Sequence, residues 1–358
     1  MSSLSRVISS WTLKSLVPTG NYSSIRPPLP TRLRVCKVPP PPLPFFPPIF
    51  SFFFLENYIS ACSVDGSVIL SKRSEPQNYT NLYICNDVVN KIFIDTYTPN
   101  FPLLQDTPAE NQKLFVCNNQ NSIKIFDLPS LSSSCVLEFE TPINFASISP
   151  DKSKMIAVGD SNEIYILDRR ESTFIRANTI TGNISLFIPS FALDIFPPFF
   201  SVSLVSTSSY FCCDWSQDSS KYAVGSQDGE VLVYDIRSTV PITIIPTVNQ
   251  GYISGACRNL KFTKSDSVEL LAFAEHESNF SLVDARTFNQ RQVVNIDHQD
   301  GSEFYSDSIS WPNLLSNSLS KICGMQFSPD SKLLYIGKAP TSFFHILSIL
   351  CFPLFFSN

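Results

Sequence analysis

Trp215-Ser-Gln-Asp-Ser-Ser-Lys-Tyr-Ala-Val-Gly-Ser-Gln-Asp-Gly-Glu-Val-Leu-Val-Tyr-Asp-Ile-Arg237 is the stretch on which the reading of the fold turns. Two short apolar runs, Tyr222-Ala-Val224 and Val231-Leu-Val-Tyr234, are separated by Ser226-Gln-Asp-Gly229, the Asp-Gly chemistry that a tight strand reversal needs. The second run ends on Asp235. The same phrase recurs as Ile123-Lys-Ile-Phe-Asp127, Ile164-Tyr-Ile-Leu-Asp168 and Phe280-Ser-Leu-Val-Asp284, each preceded by another apolar run across a polar turn. A second punctuation mark lies upstream: Ile148-Ser-Pro-Asp151, Trp215-Ser-Gln-Asp218 and Phe327-Ser-Pro-Asp330. Asp151 to Asp168 spans 17 residues, and so does Asp218 to Asp235. Unrelated loops would not hold one distance twice.

One unit therefore reads strand, Asp turn, strand, polar turn, strand, Asp. Such strands are too short to bury an apolar face alone, so neighbouring units must stack. The pattern resembles the WD repeat (WD40), whose blade is a four-stranded antiparallel sheet of a β-propeller. Its Trp-Asp dipeptide stands here as Phe-Asp, Leu-Asp, Tyr-Asp and Val-Asp, and its Gly-His dipeptide is absent. Gly255-Ala-Cys-Arg-Asn-Leu-Lys-Phe262, Leu270-Leu-Ala-Phe-Ala-Glu-His276 and Val283-Asp-Ala-Arg-Thr-Phe288 look like a group of eukaryotic WD-repeat proteins with a domain of unknown function. That resemblance is best over about 210–340. It implies an all-β, WD40-like propeller, seven-bladed in the intact family and here interrupted and truncated in its last blade, and it implies no known activity.

Three segments do not fit the repeat. Residues 39–55, 184–211 and 341–358 hold 17 of the 30 phenylalanines and are otherwise rich in Pro, Ser and Leu. Asp127 to Asp168 is 41 residues, whereas Asp168 to Asp235 is 67, an excess close to the length of the middle segment. Pyrimidine-rich nucleotide tracts encode Phe, Ser, Leu and Pro, so the three segments are read as translated non-coding sequence; a surface insertion or a membrane attachment through Phe343–Phe356 are the alternatives. The expected organisation is a leader over 1–55, basic and then Pro/Phe-rich, a propeller over 56–340 with a foreign insertion at 184–211, and an apolar tail over 341–358 outside the fold.

Residues 1–55 carry six basic side chains and no acid, which leaves 20 basic against 31 acidic residues, a charge of −11, for the rest. So acidic a body disfavours nucleic acid as a partner. Other proteins or peptides are the expected partners, with membrane contact disfavoured. A cytoplasmic or nuclear location is expected, the Ser-rich basic leader leaving a mitochondrial one open. The ten cysteines lack any Cys-x-x-Cys, and Cys62, Cys85, Cys117, Cys135 and Cys257 sit in apolar runs, as reduced structural residues do.

The chain lacks phosphate-cradling glycine motifs and His-Glu-x-x-His, and has only three histidines. No catalytic, metal or cofactor site is expected. Glu275-His276-Glu277 reads as a solvated turn, and Cys212-Cys213 as two thiols facing opposite sides of a strand. The expected function is a non-catalytic protein–protein interaction scaffold, a membrane-tethered adaptor being the alternative. Asp127, Asp168, Asp235, Asp284 and Trp215 are structural repeat positions, with Trp215 expected between sheets. Arg170, Arg237 and Arg286 each follow a blade-ending Asp by two, either stapling that turn or facing a partner.

Overall fold

A computed structural model of the protein describes residues 34–37, 49–54, 58–63, 65–75, 78–97, 111–181, 183–186, 202–205, 208–265, 269–296, 321–328, 330–339 and 345–350. Its regular structure is almost wholly strand, with one 3-10 turn at Ile253–Gly255. In chain order the strands are β1 (Arg34–Lys37), β2 (Ile49–Phe54), β3 (Tyr58–Ser63), β4 (Ser67–Lys72), β5 (Tyr79–Tyr83), β6 (Val89–Tyr97), β7 (Asn111–Asn118), β8 (Ser122–Asp127) and β9 (Ser132–Glu138). There follow β10 (Ile143–Ile148), β11 (Lys154–Gly159), β12 (Glu163–Arg170), β13 (Thr173–Thr181), β14 (Asn183–Leu186), β15 (Val202–Val205), β16 (Tyr210–Trp215), β17 (Lys221–Ser226), β18 (Glu230–Asp235) and β19 (Thr243–Pro246). The last are β20 (Cys257–Phe262), β21 (Leu270–Glu275), β22 (Asn279–Asp284), β23 (Arg291–Asn295), β24 (Lys321–Phe327), β25 (Leu333–Ala339) and β26 (His345–Leu350).

Five four-stranded sheets follow chain order: β2 to β5, β6 to β9, β10 to β13, β16 to β19 and β20 to β23. A further sheet runs β1-β26-β25-β24, and β14 pairs with β15 alone. The chain divides into two compact units, one of residues 1–143, 332–335 and 339–358, the other of 144–331 and 336–338. Strand occupies part of each Phe-rich segment: β2, the β14–β15 hairpin and β26. β16 also claims Tyr210 and Phe211, the last two residues of the middle segment, and Tyr210 is fully buried.

Within the second unit, alternation explains the packing. Side chains of successive strand residues point to opposite faces, so each sheet feeds two interfaces. Cys213, Trp215, Tyr222 and Tyr234 pack against Ile156, Val158 and Ile164 of the preceding sheet. Cys212, Ala223, Val231 and Val233 pack against Leu260, Phe273 and Val283 of the following one. Cys212 and Cys213 thus face opposite sides, as strand geometry requires. The described cysteines are free thiols. Gly225 has no room for a side chain, since a Cβ there would lie 2.5 Å from Cys257 Sγ and 2.7 Å from Cys212 Sγ.

The Ser-x-Asp punctuation is a repeated turn. Ser149 donates its hydroxyl to Asp151 (2.5 Å) and accepts from the Lys154 amide (3.0 Å), while Asp151 accepts the amide and hydroxyl of Ser153. Ser216, Asp218, Ser220 and Lys221 repeat every one of these bonds. The third copy keeps Ser328 donating to Asp330 at 2.6 Å. Lys152, Ser219 and Ser331 hold the left-handed position at φ 64°, 61° and 55°. Two of these serines also tie sheets together: Ser219 accepts from the Asp151 amide and Ser331 from the Lys264 amide.

Candidate protein-interaction site

Trp215 is fully buried, as its register implies. It lies opposite Tyr222, which lies opposite Tyr234, so three strands carry one aromatic ladder with centroid spacings of 5.4 and 5.2 Å. The indole N–H donates to the Ser147 carbonyl of β10 at 2.9 Å, which satisfies its one polar atom.

The four blade-ending aspartates are held in two ways. Arg237 clamps Asp235 through Nε (2.8 Å) and Nη2 (2.6 Å), and Arg286 clamps Asp284 likewise at 3.0 and 2.9 Å. These forks hold both carboxyls below the usual carboxylate range. Asp168 is instead paired by Lys154 at 2.6 Å, and Asp127 by Lys113 at 2.7 Å; Arg170 makes no such fork. Each lysine sits directly across the strand pair from its Asp. The equivalent Lys221 is opposite Asp235 but donates to the Ala285 carbonyl, and Leu270 stands opposite Asp284. Arginine clamps where the facing lysine is diverted or missing. A 14-residue interval, 113/127, 154/168, 221/235 and 270/284, carries this pattern in the sequence.

The blade ends opposite these clamps are different. Glu275 closes β21 almost fully buried and is saturated by three donors: the Val248 amide (2.6 Å), Asn249 Nδ2 (2.9 Å) and Asn279 Nδ2 (3.1 Å). Its carboxylate therefore fastens the connection between β19 and β20. That connection is further fixed by amide bonds from Gly251 to Asp228 O and from Gly255 to Tyr252 O. On this braced loop Val248, Tyr252 and Ile253 stand 54 %, 72 % and 78 % exposed. Beside it the Glu230 carboxyl accepts from Gln250, and its proton affinity is raised by burial and by Asp228. Of the Glu275-His276-Glu277 triplet, only His276 and Glu277 remain near solvent, and among the described residues no group of three or more His, Cys, Asp or Glu could hold a metal ion. Among the described residues no helix is long and apolar enough to cross a membrane.

A family model described as WD domain, G-beta repeat matches residues 202–235, and one described as an uncharacterised protein domain (DUF2415) matches 255–295. The fold is a WD40-like β-propeller. A chain in the crystal structure of the mitotic checkpoint complex has the same fold at TM-score 0.57 and 14 % identity, covering 92 % of this chain and 84 % of that one. An uncharacterised protein of Schizosaccharomyces pombe is 26 % identical over 66 % of this chain, and one of Saccharomyces cerevisiae 24 % identical over 62 %. The chain spans 60 % and 32 % of the lengths of these two relatives. In WD40 terms the matched regions are the β15 to β18 strands and the sheet from β20 to β23, with the Tyr252 loop lying between them.

Proposed function

We propose that the protein is a non-catalytic interaction scaffold and that it grips a protein partner through the loop between β19 and β20. The observation that carries this is the pairing of exposure with rigidity: Tyr252 and Ile253 face water on a loop whose Val248 and Gly251 amides and Asn249 side-chain amide are tied to the buried Glu275 carboxylate and to the Asp228 carbonyl. A tyrosine beside an aliphatic side chain, held in place beforehand, loses little entropy on binding and supplies apolar area of the kind that dominates interfaces. Asp228 and Glu230 at the loop's edge favour a partner with basic residues flanking an apolar anchor.

The test is affinity capture of the tagged chain from its native cells with quantitative mass spectrometry. Tyr252→Ser combined with Ile253→Ser should lose partners retained by Ile175→Ser, a variant at an exposed position of β13, with melting temperatures alike in all three. Equal capture by the loop variant and the wild type would count against the loop.

A further inference from the structure

We propose that Arg258 receives a carboxylate from an acidic segment of a partner protein. The residue occupies a bulge in β20: the register passes from Cys257 opposite Glu275 to Asn259 opposite Ala274, leaving Arg258 unpaired between them. Bulges re-aim the side chain they carry. The guanidinium is aimed onto the Phe211 ring, with Cζ 3.6 Å from its centroid. Phe211 is itself the bulged residue of β16, so two re-aimed side chains from neighbouring sheets meet. The same position in β6 holds Asn90, which donates to the Ile143 carbonyl at 3.0 Å and so stitches strands together. Arg258 does no stitching. Its Nε is enclosed without a hydrogen-bond partner, and among the described residues no carboxylate is ion-paired with it.

A half-buried guanidinium with no anion in hydrogen-bond contact is an unfavourable arrangement, because burial strips water from the charge and the Phe211 face and the unpaired attraction of Asp160 replace it only in part. Burial accordingly lowers its proton affinity, against the pull of Asp160. The aromatic stack fixes the plane of the fork, the arrangement that accepts a carboxylate bidentately. The neighbouring charges set the ligand's valence. Lys321 adds one cation at the start of β24, where its backbone bridges Glu277. Glu277 and Asp160 supply two anions. His276, whose own carbonyl accepts from the Ile322 amide, is biased toward its neutral form by burial and then by Arg258 and Lys321. Two cations and two anions already balance, so a ligand of low charge, held by the fork of the guanidinium, is accommodated more readily than a dianionic phosphate. A carboxylate fits that balance.

The experiment follows the Arg258 Nε–H resonance in full-length protein labelled with 15N-arginine. Four probes are titrated: an acetylated, amidated peptide of alternating Glu and Ser; its Gln counterpart; a neutral peptide with a free C-terminus; and inorganic phosphate. The Glu peptide should shift Arg258 saturably and the Gln peptide should not. A shift by the free-terminus peptide alone would overturn the acidic segment as the occupant and point to a chain-end carboxylate. Arg258→Gln should weaken the Glu peptide about tenfold or more, as loss of an interface arginine does. Arg258→Lys should recover only a small part of this, since an ammonium lacks the fork. An unmoved resonance at saturating Glu peptide, or phosphate binding at lower concentration than the peptide, would overturn the proposal. The wild-type comparison of Glu and Gln peptides stands even where a variant misfolds. The double serine variant leaves Arg258, Phe211 and Lys321 in place, so it should bind the Glu peptide normally.

Discussion

Lys113 and Arg237 perform the same task for Asp127 and Asp235, yet their surroundings differ. The Lys113 side chain is 9 % exposed and the Arg237 side chain 84 %. Water and salt screen the second pair far more than the first. Lys113→Ala should therefore lower the melting temperature clearly, whereas Arg237→Ala should lower it only slightly, and not at all in about 0.5 M salt. Thermal melts of both variants at two ionic strengths would show this; equal losses would contradict it. Trp215 lies at the other extreme. Trp215→Ala removes a fully buried ring from between two sheets and should cost about 3–5 kcal/mol, read from denaturant titration. Trp215→Phe keeps most of the packing but orphans the Ser147 carbonyl, so its loss should be smaller. An unchanged midpoint for the alanine variant would remove Trp215 from the core.

At the scale of the element, the Ser-x-Asp turn links a sequence motif to acid stability. Burial alone would raise the Asp218 carboxyl, but donors from Ser216 and Ser220 outweigh it and hold the group below its ordinary range. Asp151 behaves alike, with Ser149 and Ser153 as donors. A carboxyl depressed in the folded state binds fewer protons there than in the unfolded chain, so its contribution is complete above the unfolded value near 4 and is lost as pH falls through the folded one. Asp218→Asn should thus be less stable than the wild type at pH 7, and the two melting curves should converge as pH drops below about 4. Parallel curves down to pH 3 would show that the turn does not titrate. Fully buried Asp214 follows the same sign: desolvation is outweighed there by Lys261, Lys264 and the Phe262 amide.

For the molecule as a whole, the hairpin of β14 and β15 is the element least tied to the rest. Among the described strands these two pair only with each other, while each of the others shares a four-stranded sheet. Replacing residues 183–205 by a short flexible linker should leave the melting temperature within a few degrees of the parent, because loop length alone changes closure entropy slowly. A large destabilisation would show that the hairpin contributes to the core. The replacement must spare Tyr210, whose ring is buried among the residues around Trp215.

The repeat was open to reading because its signals are local. A Ser-x-Asp turn, an Asp-Gly reversal and an apolar run ending in Asp depend on residues within one or two strands, so composition and spacing suffice to find them. The 14-residue interval between clamping lysines and blade-ending aspartates is equally local, since it is the length of one hairpin. Only tertiary structure decided the rest. Arg258 meets Phe211 47 positions away because two bulges in neighbouring sheets converge, and a bulge leaves no mark in alternation until the partner strand is known. That Glu275 is the buried fastener of a loop and not part of a solvated turn was settled by the Val248 amide and Asn249, donors more than 25 residues away. Side-chain chemistry is written in the chain, but the partner that satisfies a charge or leaves it free is set by how the sheets stack.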